Sequence, residues 1–148
     1  MKTHLTDSVV AELKKREHEV NVYGALDKGP ALWSQVAVEV AEQVSAGKYT
    51  QAILFCWTGT GISLAANKVP GIRAALCHDA ETARGARKWN DANILAMSLR
   101  AVSEQVAKEI LDSWFSTPPS TDREDVECLE YLKHVEEKYR VSHFPDNP

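Results

Sequence analysis

The stretch AILFCWTGTGIS, residues 52–63, decides the fold class of this 148-residue chain. Its first five residues form a continuous apolar run, which is typical of a parallel strand covered on both faces of a sheet. Gly59 and Gly61 then break the run, and a short helix is predicted to follow as far as about Asn67. A buried strand that turns through glycines into a helix is the unit from which α/β sheets are built.

The sequence on either side of this stretch continues the alternation of helix and strand. Upstream, the spacing of apolar residues predicts a helix over 7–16, a strand over 19–23 and a helix over 31–46. Downstream, it predicts strands over 72–77 and 93–97, and helices over 79–89 and 103–115. A capping box, Thr121 with Glu124, opens a last helix at 120–140, and a frayed tail follows at 141–148.

This alternation predicts a three-layer αβα sandwich around a parallel, Rossmann-like sheet. A length of 148 residues is close to the commonest domain size, so we expect a single domain over residues 1–148. Ligands of such sheets bind beyond the carboxyl ends of the strands, where Cys56, His78 and Arg100 are expected to converge. The start is unusual, since the chain opens with a helix whereas a doubly wound unit normally opens with a strand.

Composition argues against several classes of function. The formal net charge is −4 and the basic residues are dispersed, which argues against a nucleic-acid-binding protein. No apolar run approaches the roughly 18 to 20 residues that cross a bilayer, and the N-terminus has no secretory signal core. We therefore expect a cytoplasmic protein with no membrane partner. Cys56, Cys77 and Cys128 form no C-x-x-C pair, so we expect neither a zinc site nor a disulfide framework.

The glycine loop is a candidate anion site. Gly59 and Gly61 allow backbone N–H groups to point toward one spot at the start of a helix, where the helix dipole adds partial positive charge. The loop has neither the third glycine of a dinucleotide fingerprint nor the Gly-Lys pair of a P-loop. Cys56 directly precedes it, and a thiol beside a helix N-terminus has its thiolate form favoured, as a base for carbon acids requires. From spacing alone, a structural tight turn and a packing cysteine remain open alternatives.

From Ala52 to Phe115 the chain resembles the family of type B ribose-5-phosphate isomerases and galactose-6-phosphate isomerase subunits. The segments that carry the resemblance are Cys56-x-Thr58-Gly59-x-Gly61-Ile62-Ser63, the run AANKVPGIRA at 65–74, Cys77-His78-Asp79, the run NDANILAM at 90–97, and Arg100. Together these segments are highly specific, whereas the first fifty residues match more loosely.

The resemblance implies an aldose–ketose isomerase that works through a cis-enediolate and uses no metal and no cofactor. It implies that Cys56 removes the proton beside the carbonyl, that Thr58 assists ring opening, and that the amides of 59–63 hold the enediolate oxygen. A preformed N–H donor at such an oxygen contributes about 10²–10³ in rate. A second branch of the family carries a glutamate at the position of Ile62, so this chain resembles the cysteine branch. The implied substrate-binding residues are Trp57, Gly59, Thr60, Gly61, Ile62, Ser63, His78, Trp89, Asn90, Arg100 and Arg123.

The resemblance also implies a homodimer, or a tetramer of two such dimers, that binds a sugar or sugar phosphate between subunits. In this family the C-terminal segment reaches a neighbouring subunit, and arginines that match Arg100 and Arg123 bind the phosphate. Arg123 has an alternative interpretation as a solvated residue in the first turn of the last helix.

Four departures from the family pattern bear on the substrate. The family's opening strand and its Asp-His pair have no counterpart, for which we favour a shortened N-terminus over loss of the element. Trp57 stands where the family has glycine, Trp89 where it has a ring-opening histidine, and Glu127 where it has a second phosphate-binding arginine. Because tryptophan transfers no proton at neutral pH and a carboxylate repels phosphate, these changes weaken ring opening and phosphate binding.

Two hypotheses follow from the sequence. The first is an isomerase of a short-chain or already open sugar phosphate, or of an unphosphorylated sugar, with Cys56 as the base. In this hypothesis His78 could supply the missing acid–base group, although a structural histidine at a strand end is an open alternative. The second hypothesis is a non-catalytic paralogue or partner subunit that binds a sugar phosphate.

Overall fold

The structure is a computed structural model that describes residues 1–142. The helices are α1 (His4–Lys15), α2 (Trp33–Ser45), α3 (Thr60–Ala66), α4 (Ala80–Asn90), α5 (Glu104–Ser116) and α6 (Arg123–Ser142). The strands are β1 (Ala52–Cys56), β2 (Ala74–Leu76) and β3 (Ile94–Ser98), and a short 3-10 turn lies at Gly24–Leu26. The predicted tail lies outside the described residues from position 143 onward, and its first two residues belong to α6.

The three strands form one parallel sheet in the order β1-β3-β2, so β3 is central and the other two are edges. Every residue of β3 is buried, which agrees with the apolar run from which it was predicted. In the register of the sheet Cys56 lies opposite Ser98, where both strands end. We call the side where the strands end the carboxyl edge, and the side where they begin the amino edge.

Helices cover both faces of the sheet, and the side chains of β3 alternate between two hydrophobic cores. Leu95 and Met97 pack with residues of α1, α4 and α5 on one face. Ile94 and Ala96 pack with residues of α2 and α3 on the other face. This arrangement confirms the predicted three-layer αβα sandwich. No helix within residues 1–142 has the length and apolar character needed to cross a membrane.

The strand predicted over 19–23 is wrong. This segment is irregular and runs into the 3-10 turn at Gly24–Leu26. A cavity of about 630 Å³ is lined both by this segment, through residues such as Val22, and by β1, through Phe55. Alternating side chains make a strand only where a neighbour supplies ladder hydrogen bonds, and among the described residues none lies close enough to do so.

Strand β2 is shorter than the predicted 72–77. Its first backbone N–H groups are taken by side chains from outside the sheet: the Arg73 amide donates to Asn93 Oδ1 at 2.9 Å and the Ala74 amide donates to Asn67 Oδ1 at 2.8 Å. The Arg73 bond takes that amide out of the ladder, so the strand begins at Ala74, and Asn67 bonds both the N–H and the carbonyl of Ala74 on the open side of the strand.

The last helix, α6, starts at a different residue from the one predicted from the sequence. It begins at Arg123, and the carbonyl of Asp122 accepts the first intrahelical bond. The capping box predicted from Thr121 and Glu124 is therefore wrong by one position, because the cap residue is Asp122. The helix continues to Ser142, beyond its predicted end.

Candidate active site

The turn from β1 into α3 requires glycine at position 59 for two reasons. Gly59 has φ +80°, a left-handed conformation in which other residues are strained. It also lies over the ends of the neighbouring strands, where an added Cβ would collide with the Leu76 side chain and approach the Met97 and Ser98 backbone to 3.2 Å. The loop is therefore seated directly on the carboxyl edge of the sheet.

The thiol of Cys56 is held at the start of this turn. The backbone N–H of Gly59 donates a hydrogen bond to Cys56 Sγ at 3.2 Å. The cysteine is half-buried, so the sulfur has a fixed donor and remains partly accessible. The Gly59 amide thus fixes the position of the sulfur at the start of the turn.

Three backbone N–H groups lie free beside this thiol. The amides of Thr60, Gly61 and Ile62 have no hydrogen-bond acceptor within residues 1–142, as is usual for the first turn of a helix. The Ser63 amide differs, since it donates to the Gly59 carbonyl at 3.2 Å. The predicted cradle at 59–63 is thus reduced to three amides, because Gly59 serves the thiol and Ser63 closes the first helical turn.

Two hydroxyl groups flank the cradle. Thr58 Oγ1 and Thr60 Oγ1 lie 2.8 Å apart in an exposed hydrogen bond in which either group can donate. A hydroxyl both donates and accepts, so such a pair can relay a proton between a ligand oxygen and solvent. Thr58, which is predicted to assist ring opening, therefore has a proton-relay partner.

The carbonyl of Trp57 is fixed by two donors from the segment that ends β3. Ser98 Oγ donates to it at 2.9 Å and the Arg100 amide donates at 3.0 Å. Ser98 is only 2% exposed and positions the loop from beneath. Sequence reasoning misses this residue, because a serine after an apolar run belongs to no motif. The available signal is its position at the end of a strand, like that of Cys56.

Two tryptophans stand close to the cradle. Trp57, predicted to border the substrate, is 55% exposed. Trp33, the first residue of α2, packs its ring against Gly61 and lines the same cavity as Cys56 and Trp57. The sequence gives no signal for Trp33, since a single aromatic at the start of a helix has many structural uses.

His78 and Arg100 both lie at the carboxyl edge, as predicted, and both are exposed. The Arg100 guanidinium has no ion pair and no hydrogen bond among the described residues. His78 precedes Asp79, which caps α4 by accepting a hydrogen bond from the Thr82 amide at 2.7 Å. That hydrogen bond lowers the pKa of Asp79, and the neighbouring His78 adds to the shift.

Two of the predicted site residues lie at the amino edge, far from the thiol. Asn90 ends α4, and its carbonyl accepts a hydrogen bond at 2.9 Å from Nε of Arg73, the residue before β2. Trp89 lies beside Asn90, with its ring packed over Gly85 of the same helix. Because β1 spans five residues, at about 3.3 Å per residue the two edges are roughly 16 Å apart.

Arg123 belongs to the same end of the molecule. The segment before it is tied to α4 by a hydrogen bond of 2.7 Å from the Ser120 amide to the Lys88 carbonyl. Its guanidinium is exposed and donates through Nε to Glu127 Oε1 at 2.6 Å. The predicted site residues thus fall into a carboxyl-edge group around Cys56 and an amino-edge group of Trp89, Asn90 and Arg123.

Cys56 is the cysteine that is both accessible and beside the cradle. Cys77 is fully buried, and burial raises the pKa of its thiol to about 12, with the Asp79 carboxylate adding to the shift. Cys128 is exposed on α6. Within residues 1–142, no group of three or more His, Cys, Asp or Glu residues is placed to hold a metal ion.

Comparison with protein families matches residues 1–129 to a family described as Ribose/Galactose Isomerase. Among known proteins, the ribose-5-P isomerase B of Listeria innocua is 32% identical over 136 residues, which cover 92% of this chain and 91% of that protein. The D-erythrulose-4-phosphate isomerase of Pectobacterium atrosepticum is 38% identical over 107 residues, which cover 71% of this chain and 70% of that protein.

A solved structure shares the fold. The ribose-5-phosphate isomerase B of Clostridium thermocellum matches with a TM-score of 0.85 at 38% sequence identity. The match covers 91% of this chain and 90% of that one, so the similarity extends over both protein sequences nearly in full.

Proposed function

The chain belongs to the ribose/galactose isomerase family, and on this premise we propose that it interconverts an aldose and a ketose through a cis-enediolate with Cys56 as the base. Relatives named ribose-5-phosphate isomerase B and D-erythrulose-4-phosphate isomerase place the chain among the aldose–ketose isomerases, which are intramolecular oxidoreductases. The observation that carries the proposed mechanism is the hydrogen bond from the Gly59 amide to Cys56 Sγ beside three free amides.

The chemistry needs a base beside the carbon that loses a proton and donors beside the oxygen that gains charge. In the proposed step the Cys56 thiolate takes the proton from the carbon next to the carbonyl. The C–H electron pair forms the carbon–carbon double bond of the enediolate, and the carbonyl oxygen takes the charge. The hydroxyl proton on the carbon that was deprotonated then passes to the charged oxygen, and the thiol returns its proton to the former carbonyl carbon. The deprotonated carbon becomes the new carbonyl and the thiolate is restored, so no atom and no electron is gained or lost.

The amides of Thr60, Gly61 and Ile62 supply the donors for the enediolate oxygen. They are free in this protein, they lie on adjacent residues, and they require no rearrangement to accept an anion. Donors fixed before the reaction stabilise the charge that develops in the transition state more than they stabilise the neutral carbonyl. This difference is what accelerates enolisation.

Ring opening and phosphate binding are assigned to the exposed groups around the cradle. Thr58, with Thr60 as its relay, takes and returns the proton that ring opening moves. Arg100, whose guanidinium has no partner among residues 1–142, is the proposed phosphate ligand at the carboxyl edge. Trp89 has only an indole N–H, which donates and does not transfer protons at neutral pH.

We assign completion of the site to a second copy of the chain. The amino-edge group is too far from Cys56 to touch the same substrate within one protomer. In a two-fold dimer the amino edge of each copy can meet the carboxyl edge of the other, which gives two equivalent sites. Exposed apolar side chains on α6, among them Val126, Tyr131 and Leu132, offer a surface for this association. The C-terminal helix then serves as the partner contact.

The proposed substrate is a short-chain or open-chain sugar phosphate. Trp57 narrows the site with a large half-exposed side chain, and an open-chain substrate needs no ring-opening histidine. A relative that is 38% identical is named for a four-carbon substrate, D-erythrulose 4-phosphate. The cytoplasmic location stays a prediction.

The experiment that tests this function is a panel of aldose and ketose phosphates of four to six carbons, together with the free sugars. Turnover is expected for at least one phosphate, and Cys56→Ala should lower kcat by about 10²–10⁴, the usual contribution of a general base. Cys128→Ser is the matched control, because the change is nearly isosteric and leaves the exposed apolar side chains of α6 intact, and it should keep wild-type turnover. Full activity in Cys56→Ala would show that Cys56 is not the base.

The second candidate function is a non-catalytic paralogue or partner subunit that binds a sugar phosphate. The observation that favours it is Trp89, which lies over Gly85 where the family has a proton-transferring histidine. A binding protein gains stability from a sugar phosphate, by an amount that follows ligand concentration, without converting it. Thermal stabilisation in the panel without turnover therefore selects this function.

A further inference from the structure

The indole of Trp33 rests on the backbone of the candidate anion cradle. A Cβ built on Gly61 would lie 3.2–3.3 Å from three atoms of this ring, Cε3, Cζ3 and Cη2. The benzene edge of the indole is therefore in contact with the residue that carries the middle one of the three free amides. The ring therefore packs against the same turn of backbone that carries the free amides.

Contact with Gly61 leaves much of the ring uncovered. Trp33 is 53% exposed, and its indole N–H has no acceptor within residues 1–142. A core tryptophan in this protein differs in both respects, since Trp114 is 1% exposed and donates through Nε1 to Gln51 Oε1 at 2.9 Å. Burial of Trp33 in the monomer core therefore does not explain its presence.

The position of Trp33 is set by a rigid part of the fold. Helix α2 packs against α3 through a shared core in which Val40 and Ala41 of one helix meet Ile62 and Ala66 of the other. The ring and the free amides thus belong to one packed unit, so their separation is fixed before any ligand binds.

The surroundings of the ring suit carbon rather than phosphate. The cavity that Trp33 shares with Cys56 and Trp57 has one carboxylate, Glu19, and no lysine or arginine among its lining residues. Apart from His18 and Met1 with its N-terminal amine, no group that can carry positive charge lines this cavity, whereas the C–H groups and hydroxyls of a sugar chain match its aromatic face and free N–H donor.

We propose that Trp33 is a substrate-contacting, specificity-determining residue whose indole packs on the carbon chain of the sugar held by the free amides. Its N–H is then the donor to a substrate hydroxyl. The proposal rests on the proposed function for the identity of the substrate, and it predicts that the site distinguishes a sugar phosphate from phosphate alone.

The test measures equilibrium binding to the full chain by calorimetry, with two probes that do not turn over. The probes are inorganic phosphate and erythritol 4-phosphate, a four-carbon polyol phosphate that has no carbonyl group. The variants are Trp33→Ala and Trp33→Phe, and the control is Leu64→Ala, because Leu64 is a large apolar residue on α3 that is 64% exposed. Since no probe is converted, the result does not depend on whether Cys56 acts as the base.

Trp33→Ala is expected to weaken binding of the polyol phosphate about tenfold while phosphate binding changes by less than about twofold. Trp33→Phe should recover part of the loss, and Leu64→Ala should match the wild type. Equal losses for both probes would reduce Trp33 to a support of the loop and overturn the proposal. An unchanged polyol phosphate affinity in Trp33→Ala, or no binding of that probe by the wild type, would also overturn it.

Discussion

The backbone N–H of Gly59 donates a hydrogen bond of 3.2 Å to Sγ of Cys56. The two residues are three positions apart in sequence, at the end of β1 and at the start of α3. Gly59 also adopts φ +80°, the left-handed conformation from which α3 starts at the next residue. The same glycine therefore forms the turn and orients the thiol.

Replacement of Gly59 by alanine should destabilise the protein more than the same change at Gly47. Both glycines have positive φ, near +80°, but Gly47 has open space around it whereas Gly59 faces Leu76 and the backbone of β3. Gly47→Ala should cost about 1–2 kcal/mol of unfolding free energy from backbone strain alone. Gly59→Ala should cost about 1–3 kcal/mol more from overpacking. Denaturant unfolding measures both values, and equal losses would show that the loop is not seated on the sheet.

A thiol-specific reagent should modify two of the three cysteines in the native protein. Only the thiolate reacts, and a thiol whose pKa is raised to about 12 stays protonated at about pH 8–9. Cys56 and Cys128 are accessible and should be modified, whereas buried Cys77 should react only after unfolding. Mass spectrometry counts the adducts, and Cys128→Ser should remove one of them. Labelling of Cys77 in the folded protein contradicts the burial described here.

Two inactive variants should restore activity when their subunits are mixed. Cys56→Ala removes the proposed base at the carboxyl edge and Arg123→Ala removes a proposed phosphate ligand at the amino edge. If each site joins the two edges of different copies, a mixed dimer contains one intact site and one doubly altered site. Co-expression should then give about a quarter of wild-type turnover, because about half of the dimers are mixed and each has one working site of two. Turnover no higher than that of the two separate variants would place the whole site within one protomer.

The open side of β1 predicts that one more strand stabilises the protein. Ala52 and Cys56 direct backbone groups toward β3, so those of Ile53 and Phe55 face away from it, toward the cavity. We consider a variant in which a strand of five β-branched apolar residues and a short linker precede Met1. The added strand should pair with the open side of β1 and raise Tm by roughly 5 °C or more. The control carries proline at the second and fourth strand positions, which removes the ladder donors. Equal Tm values for the two extended chains contradict the prediction.

Much of the fold could be predicted from the sequence because its strongest signals are local. Strand β1 has the bounds predicted from its apolar run, since five apolar residues between polar and glycine segments leave little choice of register. The segment 19–23 fails because alternation describes side chains alone, and a strand also needs a neighbour at hydrogen-bonding distance. Among residues 1–142, β1 pairs only with β3, so the segment has no such neighbour on the open side of β1.

The candidate site could be predicted only in part, because the order of strands decides which residues meet. Cys56, His78 and Arg100 follow strand ends, so parallel geometry places them at one edge. Trp89 and Asn90 end the helix that runs back to the start of β3, so the same parallel geometry places them at the amino edge, and it is the family resemblance that groups them with Cys56. Ser98 and Trp33 carry no motif, and they matter because of what packs against them.

The central claim is that Cys56 moves the proton between two carbons of the substrate. The direct measurement is deuterium incorporation, followed by NMR, when the enzyme acts in D₂O on the sugar phosphate that gives turnover. Wild-type protein and Cys128→Ser should place deuterium on the carbon beside the carbonyl. In Cys56→Ala the rate of deuterium incorporation should be lower by a factor of about 10² or more. Exchange by Cys56→Ala at the wild-type rate would show that another group is the base.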